Sequence, residues 1–70
     1  MKLQKGVRVK VDVADANGDE LYGEVLDPNY VGFAVLVRCD TPVDKRYCST
    51  DSRDVMFLKS MLKVPLPGEK

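Results

Sequence analysis

The sequence predicts an all-β domain in which five short strands curl into one small barrel. The clearest observation is the alternation of four valines, from Val7 to Val13, with arginine, lysine and aspartate. A strict period of two places the valines on one face of a strand and the charges on the other. Clusters of turn-forming residues and a second apolar run follow, and 70 residues have room for a single compact core.

Turn-forming residues divide the chain into its predicted elements. Asn17-Gly18 predicts a loop after the first strand, and the stretch Asp27–Gly32 predicts a reversal of the chain. Gly23, inside the second strand, indicates a bend or a close approach of two backbones. The third strand is apolar on both faces and is predicted to be the most central. The predicted strands are Val7–Val13, Glu20–Leu26, Phe33–Cys39, Asp54–Leu58 and Leu62–Val64.

The region after residue 52 has two interpretations. In the first, a helical turn at Lys59–Met61 connects the last two strands, so that every apolar residue is used. In the second, Ser52–Lys63 is an amphipathic helix with Ser52 as its N-cap. We favour the first. Residues 40–54 show no regular pattern, and we expect one domain over 1–70, with the fold at about 5–64 and a proline-rich tail at 65–70.

The predicted core consists of the apolar residues that the alternation places on one face of each strand. A charge at such a position would be buried without a partner, which is costly. The predicted core residues are Val7, Val9, Val11, Val25, Val35, Val37, Val55, Phe57 and Leu62.

Composition argues for a folded cytoplasmic domain. Eleven basic and eleven acidic residues give a formal net charge of zero, so overall charge does not direct the protein to nucleic acid or to a membrane. The longest apolar run, Phe33–Val37, is far shorter than the roughly 20 residues of a membrane span. Cys39 and Cys48 are expected to be reduced thiols, because disulfides are rare in the cytosol.

Several kinds of chemistry are excluded. The chain has no histidine, so a Ser-His-Asp triad and histidine-ligated zinc are absent, and two cysteines cannot form a four-cysteine zinc site. The oxygen-rich stretch from Asp15 to Glu20 lacks the glycine and glutamate positions of an EF-hand loop. We therefore expect no catalytic residues, no metal site and no cofactor.

Charged residues are distributed unevenly. Arg8 and Lys10 lie in a basic N-terminal stretch, while residues 12–27 contain six acids and no base. The two groups either form a dipolar surface that orients a partner or neutralise one another across paired strands. A second basic group surrounds Tyr47, a combination that binds phosphates and stacks bases, although acids interrupt it. This group consists of Lys45, Arg46, Arg53, Lys59 and Lys63.

The order of these motifs resembles that of SH3-like small barrels, including KOW domains, Tudor-like domains and type II dihydrofolate reductases. The resemblance covers about residues 5–64. It depends on Gly6 with Val7 and Val9, Gly23 with Val25, Val35 with Val37, and the closing segment Ser60–Val64. It implies a five-stranded SH3-like barrel, and it supports the fold more strongly than any function.

These observations favour a non-catalytic module that binds another protein through the barrel loops, as a small regulator or assembly subunit of the kind that phages and mobile elements encode. The alternative is a nucleic-acid-binding domain of the KOW or Tudor-like type. The reductase resemblance implies an active site with a Val-Gln-Ile-Tyr segment in a tetrameric pore, but Val55–Leu58 lacks the amide and the phenol. The expected partner-binding residues are Arg8, Lys10, Tyr22, Tyr30, Arg46 and Tyr47.

Overall fold

Five strands form a single antiparallel sheet in the computed structural model, which describes residues 3–49, 52–66 and 68. The order of the strands across the sheet is β4-β3-β2-β1-β5. A 3-10 turn at Lys59–Met61 joins the last two, so the all-β class is confirmed and the helix over Ser52–Lys63 is not formed. The strands are β1 (Arg8–Ala14), β2 (Glu20–Val31), β3 (Ala34–Cys39), β4 (Asp54–Leu58) and β5 (Leu62–Lys63).

The core lies on one face of this sheet and receives side chains from all five strands. Every predicted core residue except Val7 is buried, and Val7 is half-buried and packs against the others. Leu21, Cys39 and Val43 complete the cluster. Within the described residues the edge strands β4 and β5 do not pair, so backbone hydrogen bonds do not close the sheet.

Gly23 allows β2 and β3 to approach closely. It pairs with Val9 on β1 and with Cys39 on β3. A Cβ atom at this position would lie 2.6 Å from the carbonyl oxygen of Arg38 and 2.6 Å from Cγ1 of Val37. The close backbone approach predicted at this glycine is therefore confirmed.

Two predictions about β2 and β3 are wrong. The chain does not reverse over Asp27–Gly32, because β2 continues to Val31, and the turn is confined to Gly32, with φ of 54°, and Phe33. Register shifts around Asp27 accommodate Pro28, which has no N–H to donate to a regular ladder. The most central strand is β2 and not β3, since β3 lies next to the edge strand β4.

The loop between β1 and β2 is organised by Asp15, which is buried. Its Oδ1 accepts hydrogen bonds from the N–H groups of Asn17 and Asp19, each at 2.9 Å, and its Oδ2 accepts one from Thr41 at 3.2 Å. The backbone hydrogen bond from Asp19 is the main reason why the pKa of Asp15 is lowered. A β-bridge from Asp15 to Val43 then attaches the irregular segment 40–44 to this loop.

Candidate partner-binding surface

The outer face of the sheet, which points away from the core, has a charged half. Strand register places Arg8, Glu24, Arg38 and Asp54 in one row across β1 to β4, with alternating sign. Arg38 bonds Asp54 at 3.0 Å, and this contact lowers the pKa of the Asp54 carboxyl. These cross-strand contacts satisfy the charges locally.

Two of the expected partner-binding residues lie in this charged half and are already bound within the chain. The guanidinium of Arg8 donates to the carboxylate of Asp40 at 2.8 Å, and that hydrogen bond raises the pKa of Arg8. Lys10 bonds Glu20 at 2.8 Å, across the β1–β2 pair. Lys10 is thus neutralised across paired strands by the acidic stretch, whereas Arg8 is neutralised by Asp40, which follows β3.

Tyr22 is the third expected residue on the outer face. Its side chain is buried, and its hydroxyl donates a 2.8 Å hydrogen bond to Glu20, the carboxylate that also accepts from Lys10. Tyr22 and Lys10 are direct cross-strand partners. A ring held in this way stabilises the β1–β2 pair and offers little surface to a partner.

Arg46 and Tyr47 also make contacts within the chain. The Arg46 guanidinium bonds Asp44 at 2.8 Å, which lowers the pKa of that carboxyl. The ring of Tyr47 stacks on Phe57, with centroids 5.3 Å apart and planes 19° apart. One face of Tyr47 is therefore occupied, which leaves less of the ring for stacking a base.

The exposed edge of β4 is partly capped by side chains. The Cys39 N–H donates to the Arg53 carbonyl at 2.7 Å. Because hydrogen-bonded and non-hydrogen-bonded residue pairs alternate along an antiparallel ladder, the N–H and C=O groups of Asp54 and Met56 point away from β3. The Tyr47 hydroxyl donates to the Met56 carbonyl at 3.0 Å. Ser52 bonds both the N–H and the carbonyl of Asp54, at 3.2 and 3.4 Å. Such capping disfavours the addition of a further strand.

The other half of the outer face is apolar, and we call it the apolar outer patch. Val31, Ala34 and Leu58 are aligned across β2, β3 and β4, and Leu36 and Met56 form the next row. Phe33, in the turn between β2 and β3, is 81% exposed. The patch consists of Val31, Ala34, Leu36, Met56 and Leu58 on the sheet, with Phe33 in the adjoining turn.

Most of this patch is more exposed than the core, although Ala34 is only 6% exposed and Leu36 is half-buried. Val31, Met56 and Leu58 are 62%, 48% and 54% exposed, and Tyr30, the one expected partner-binding residue on this hairpin, is 47% exposed. Large apolar side chains that adjoin one another on a surface are typical of an interaction site. Among the residues predicted for binding, Tyr30 is the one next in sequence to this patch, but alternation along β2 turns its side chain to the face opposite that of Val31.

Sequence reasoning missed most of the patch for an identifiable reason. Phe33 is predicted to begin the third strand, but it lies in the turn with Gly32 and its side chain is exposed. Met56 and Leu58 alternate with the buried Val55 and Phe57 and so belong to the outer face. That alternation was visible in the sequence, and it differs from β1, where charged residues occupy the outer positions.

The described residues offer little else for chemistry. No group of three or more acidic or cysteine side chains in 3–49, 52–66 and 68 is arranged to hold a metal ion. Neither cysteine forms a disulfide with a described residue, and burial raises the pKa of Cys39 to about 12, so that its reactive thiolate is suppressed. No helix in this part of the chain is long and apolar enough to cross a membrane.

Comparison with known proteins gives no relative: no family model, no curated protein and no solved structure matches the chain.

Proposed function

We propose that this chain is a non-catalytic protein-binding module and that the apolar outer patch is its contact surface. Such a module acts by occupying a partner, as a small regulator or assembly subunit does. The observation that carries the proposal is the contrast between the two halves of the outer face. Charges in one half are paired within the chain, whereas Val31 and Leu58 in the other half expose most of their apolar surface.

We infer further that the sheet curls into an SH3-like barrel. Val9, Val25, Val35 and Val37 have no exposed surface, although the described part of the chain has only a three-residue helical element, with no buried residue, to cover them. A flat sheet would leave its apolar face open to water. The burial of these valines therefore supports a sheet that curls around its own core into a barrel, with the outer face on the convex side.

The main test is affinity capture with matched variants. Phe33→Ser and Leu58→Ser remove apolar surface from the patch, and Val64→Ser removes a similar side chain, 55% exposed, that follows the opposite edge strand. We expect the wild-type protein and Val64→Ser to retain the same specific protein, and both patch variants to lose it. Circular dichroism must show the same fold in all four proteins.

The nucleic-acid alternative predicts a different result. An oligonucleotide would bind with an affinity that falls steeply with salt, because phosphate contacts release counterions. Substitution of Lys45 or Lys63 would then weaken binding, and Phe33→Ser would not. That pattern, with no protein captured, would overturn the proposal.

A further inference from the structure

We propose that Asn17 is a modification site, at which the side-chain amide is converted to a carboxylate without an enzyme, and that Asp15 sets the rate of this reaction. The site lies in the loop between β1 and β2 and does not belong to the apolar outer patch. Asn17 and Gly18 are both exposed there. Of the two asparagines in the chain, Asn17 precedes a glycine and Asn29 precedes a tyrosine, so Asn29 serves as an internal control.

The reaction requires only water and the neighbouring main chain. The nitrogen of Gly18 attacks Cγ of Asn17 and closes a succinimide ring, and the amide nitrogen leaves as ammonia with the proton that Gly18 gives up. Water then opens the ring. Opening at Cγ gives aspartate, whereas opening at the main-chain carbonyl gives isoaspartate. A nucleophile held beside the carbon that it attacks acts at a high effective concentration, so the reaction needs no catalyst.

The surroundings of Gly18 leave room for the ring. A Cβ atom built on Gly18 would meet no atom of the described residues within 4 Å, apart from its chain neighbours. Glycine itself adds no side chain beside the attacking nitrogen. At the other asparagine, the side chain of Tyr30 crowds the nitrogen that would attack Asn29, and both residues lie within β2. The two sites therefore differ in steric access as well as in sequence.

Asp15 opposes ring closure in the folded loop. The N–H of Gly18 donates to the Asp15 carbonyl at 3.0 Å. The succinimide nitrogen has no hydrogen, so this bond must be lost before the ring can form. The Asp15 carboxylate also holds the peptide groups on both sides, through the N–H groups of Asn17 and Asp19. Conversion therefore proceeds from the fraction of molecules in which the loop is open.

The two products affect the loop differently. Aspartate keeps the main chain unchanged and adds one negative charge. Isoaspartate adds a carbon atom to the main chain between Asn17 and Gly18, inside the segment that Asp15 holds at both ends. The other carboxylate oxygen of Asp15 accepts from Thr41, so the loop is joined to segment 40–44. We therefore expect isoaspartate to loosen the loop and aspartate to leave it folded.

Mass spectrometry of the purified full chain measures the conversion. Trypsin cleaves after Lys10 and Arg38, so a single peptide contains both asparagines. After incubation at pH 8 we expect the mass gain of an amide-to-acid exchange at Asn17, with a separately eluting isoaspartate form, and no change at Asn29. Conversion of Asn29 as fast as that of Asn17, or no conversion of Asn17 in guanidinium chloride, would overturn the proposal.

The role of Asp15 is tested by comparing rates. The folded wild-type protein should convert about tenfold or more slowly than the same chain in guanidinium chloride, because hydrogen bonds to a charged group must first open. Thr41→Val removes one bond to Asp15 and should raise the folded rate severalfold, and Asp15→Ala should bring it close to the unfolded rate. Ser60→Ala, at an exposed position outside the loop, is the control and should not change it.

Circular dichroism must show the wild-type fold in Thr41→Val and Ser60→Ala before their rates are compared. A folded wild-type rate equal to that in guanidinium chloride, or a Thr41→Val rate equal to that of the wild type, would overturn the control by Asp15. Asn17→Asp reproduces the aspartate product and should melt close to the wild type, whereas the isoaspartate form, purified by ion exchange, should melt at a lower temperature. An isoaspartate form as stable as the wild type would contradict its effect on the loop.

Discussion

Replacement of Gly23 by alanine is predicted to separate β2 from β3. The added Cβ would lie 2.6 Å from a carbonyl oxygen of Arg38 and from Cγ1 of Val37, whereas ordinary contacts lie at 3.4–4 Å. Val37 is completely buried, and its side chain has no space into which to move. The backbones must therefore move apart by about 1 Å, and overpacking of this kind costs about 1–3 kcal/mol.

The free energy of unfolding, measured with urea, is the direct assay of Gly23→Ala. We expect a loss of about 2 kcal/mol, equivalent to a fall in Tm of about 8–16 °C for a domain of this size. Glu24→Ala, at the neighbouring exposed position, is the control and should change stability by about 0.5 kcal/mol or less. Equal stability of Gly23→Ala and the wild-type protein would refute the close approach of β2 and β3.

Three further predictions concern the core, the first loop and the thiols. Val9→Asp places a charge at a fully buried position and should abolish the cooperative thermal transition seen by circular dichroism. Asp15→Ala should destabilise the domain at pH 7. Because the pKa of Asp15 is lowered from 3.8 by its hydrogen bonds, this contribution is fully present above pH 3.8 and is lost as the pH falls through the lower folded value, so the difference in stability between the two proteins should shrink as the pH falls below 3.8. Iodoacetamide at pH 8 should modify the half-buried Cys48 before the buried Cys39, whose pKa is raised to about 12, as read by mass spectrometry.

Each of these three predictions has a result that would contradict it. A normal melt of Val9→Asp would contradict the inward face of β1. A destabilisation by Asp15→Ala that is the same at pH 2 and pH 7 would show that the carboxylate charge is not what holds the loop. Modification of Cys39 at the rate of Cys48 in the folded protein would contradict its burial.

Strand positions were predictable wherever a period of two ran without interruption. The bounds of β4 at Asp54–Leu58, and the turn at Lys59–Met61, follow from the alternation of buried and exposed side chains and the break that comes after it. The extent of β2 was not predictable. Pro28 and Asn29 are typical of turns, and only the register shifts of the folded sheet allow the strand to pass through them to Val31.

The candidate site was less predictable than the fold. Alternation indicates which residues share a face, and it correctly assigned Arg8 and Lys10 to the outer one. It does not give the register between strands, which is what brings Leu58, Ala34 and Val31 into one row. The burial of Val43 likewise depends on its bridge to Asp15, far away in the sequence.

A titration of the ¹⁵N-labelled chain with the protein that affinity capture retains, followed by ¹H–¹⁵N correlation spectra, tests the central claim most directly, because it reports on each part of the outer face separately. We expect the amide signals of Val31, Met56 and Leu58 to shift as the partner is added, while those of Tyr22 and Val64 stay constant. Shifts confined to the charged half of the outer face, or to the capped edge of β4, would contradict the claim that the apolar outer patch is the binding surface.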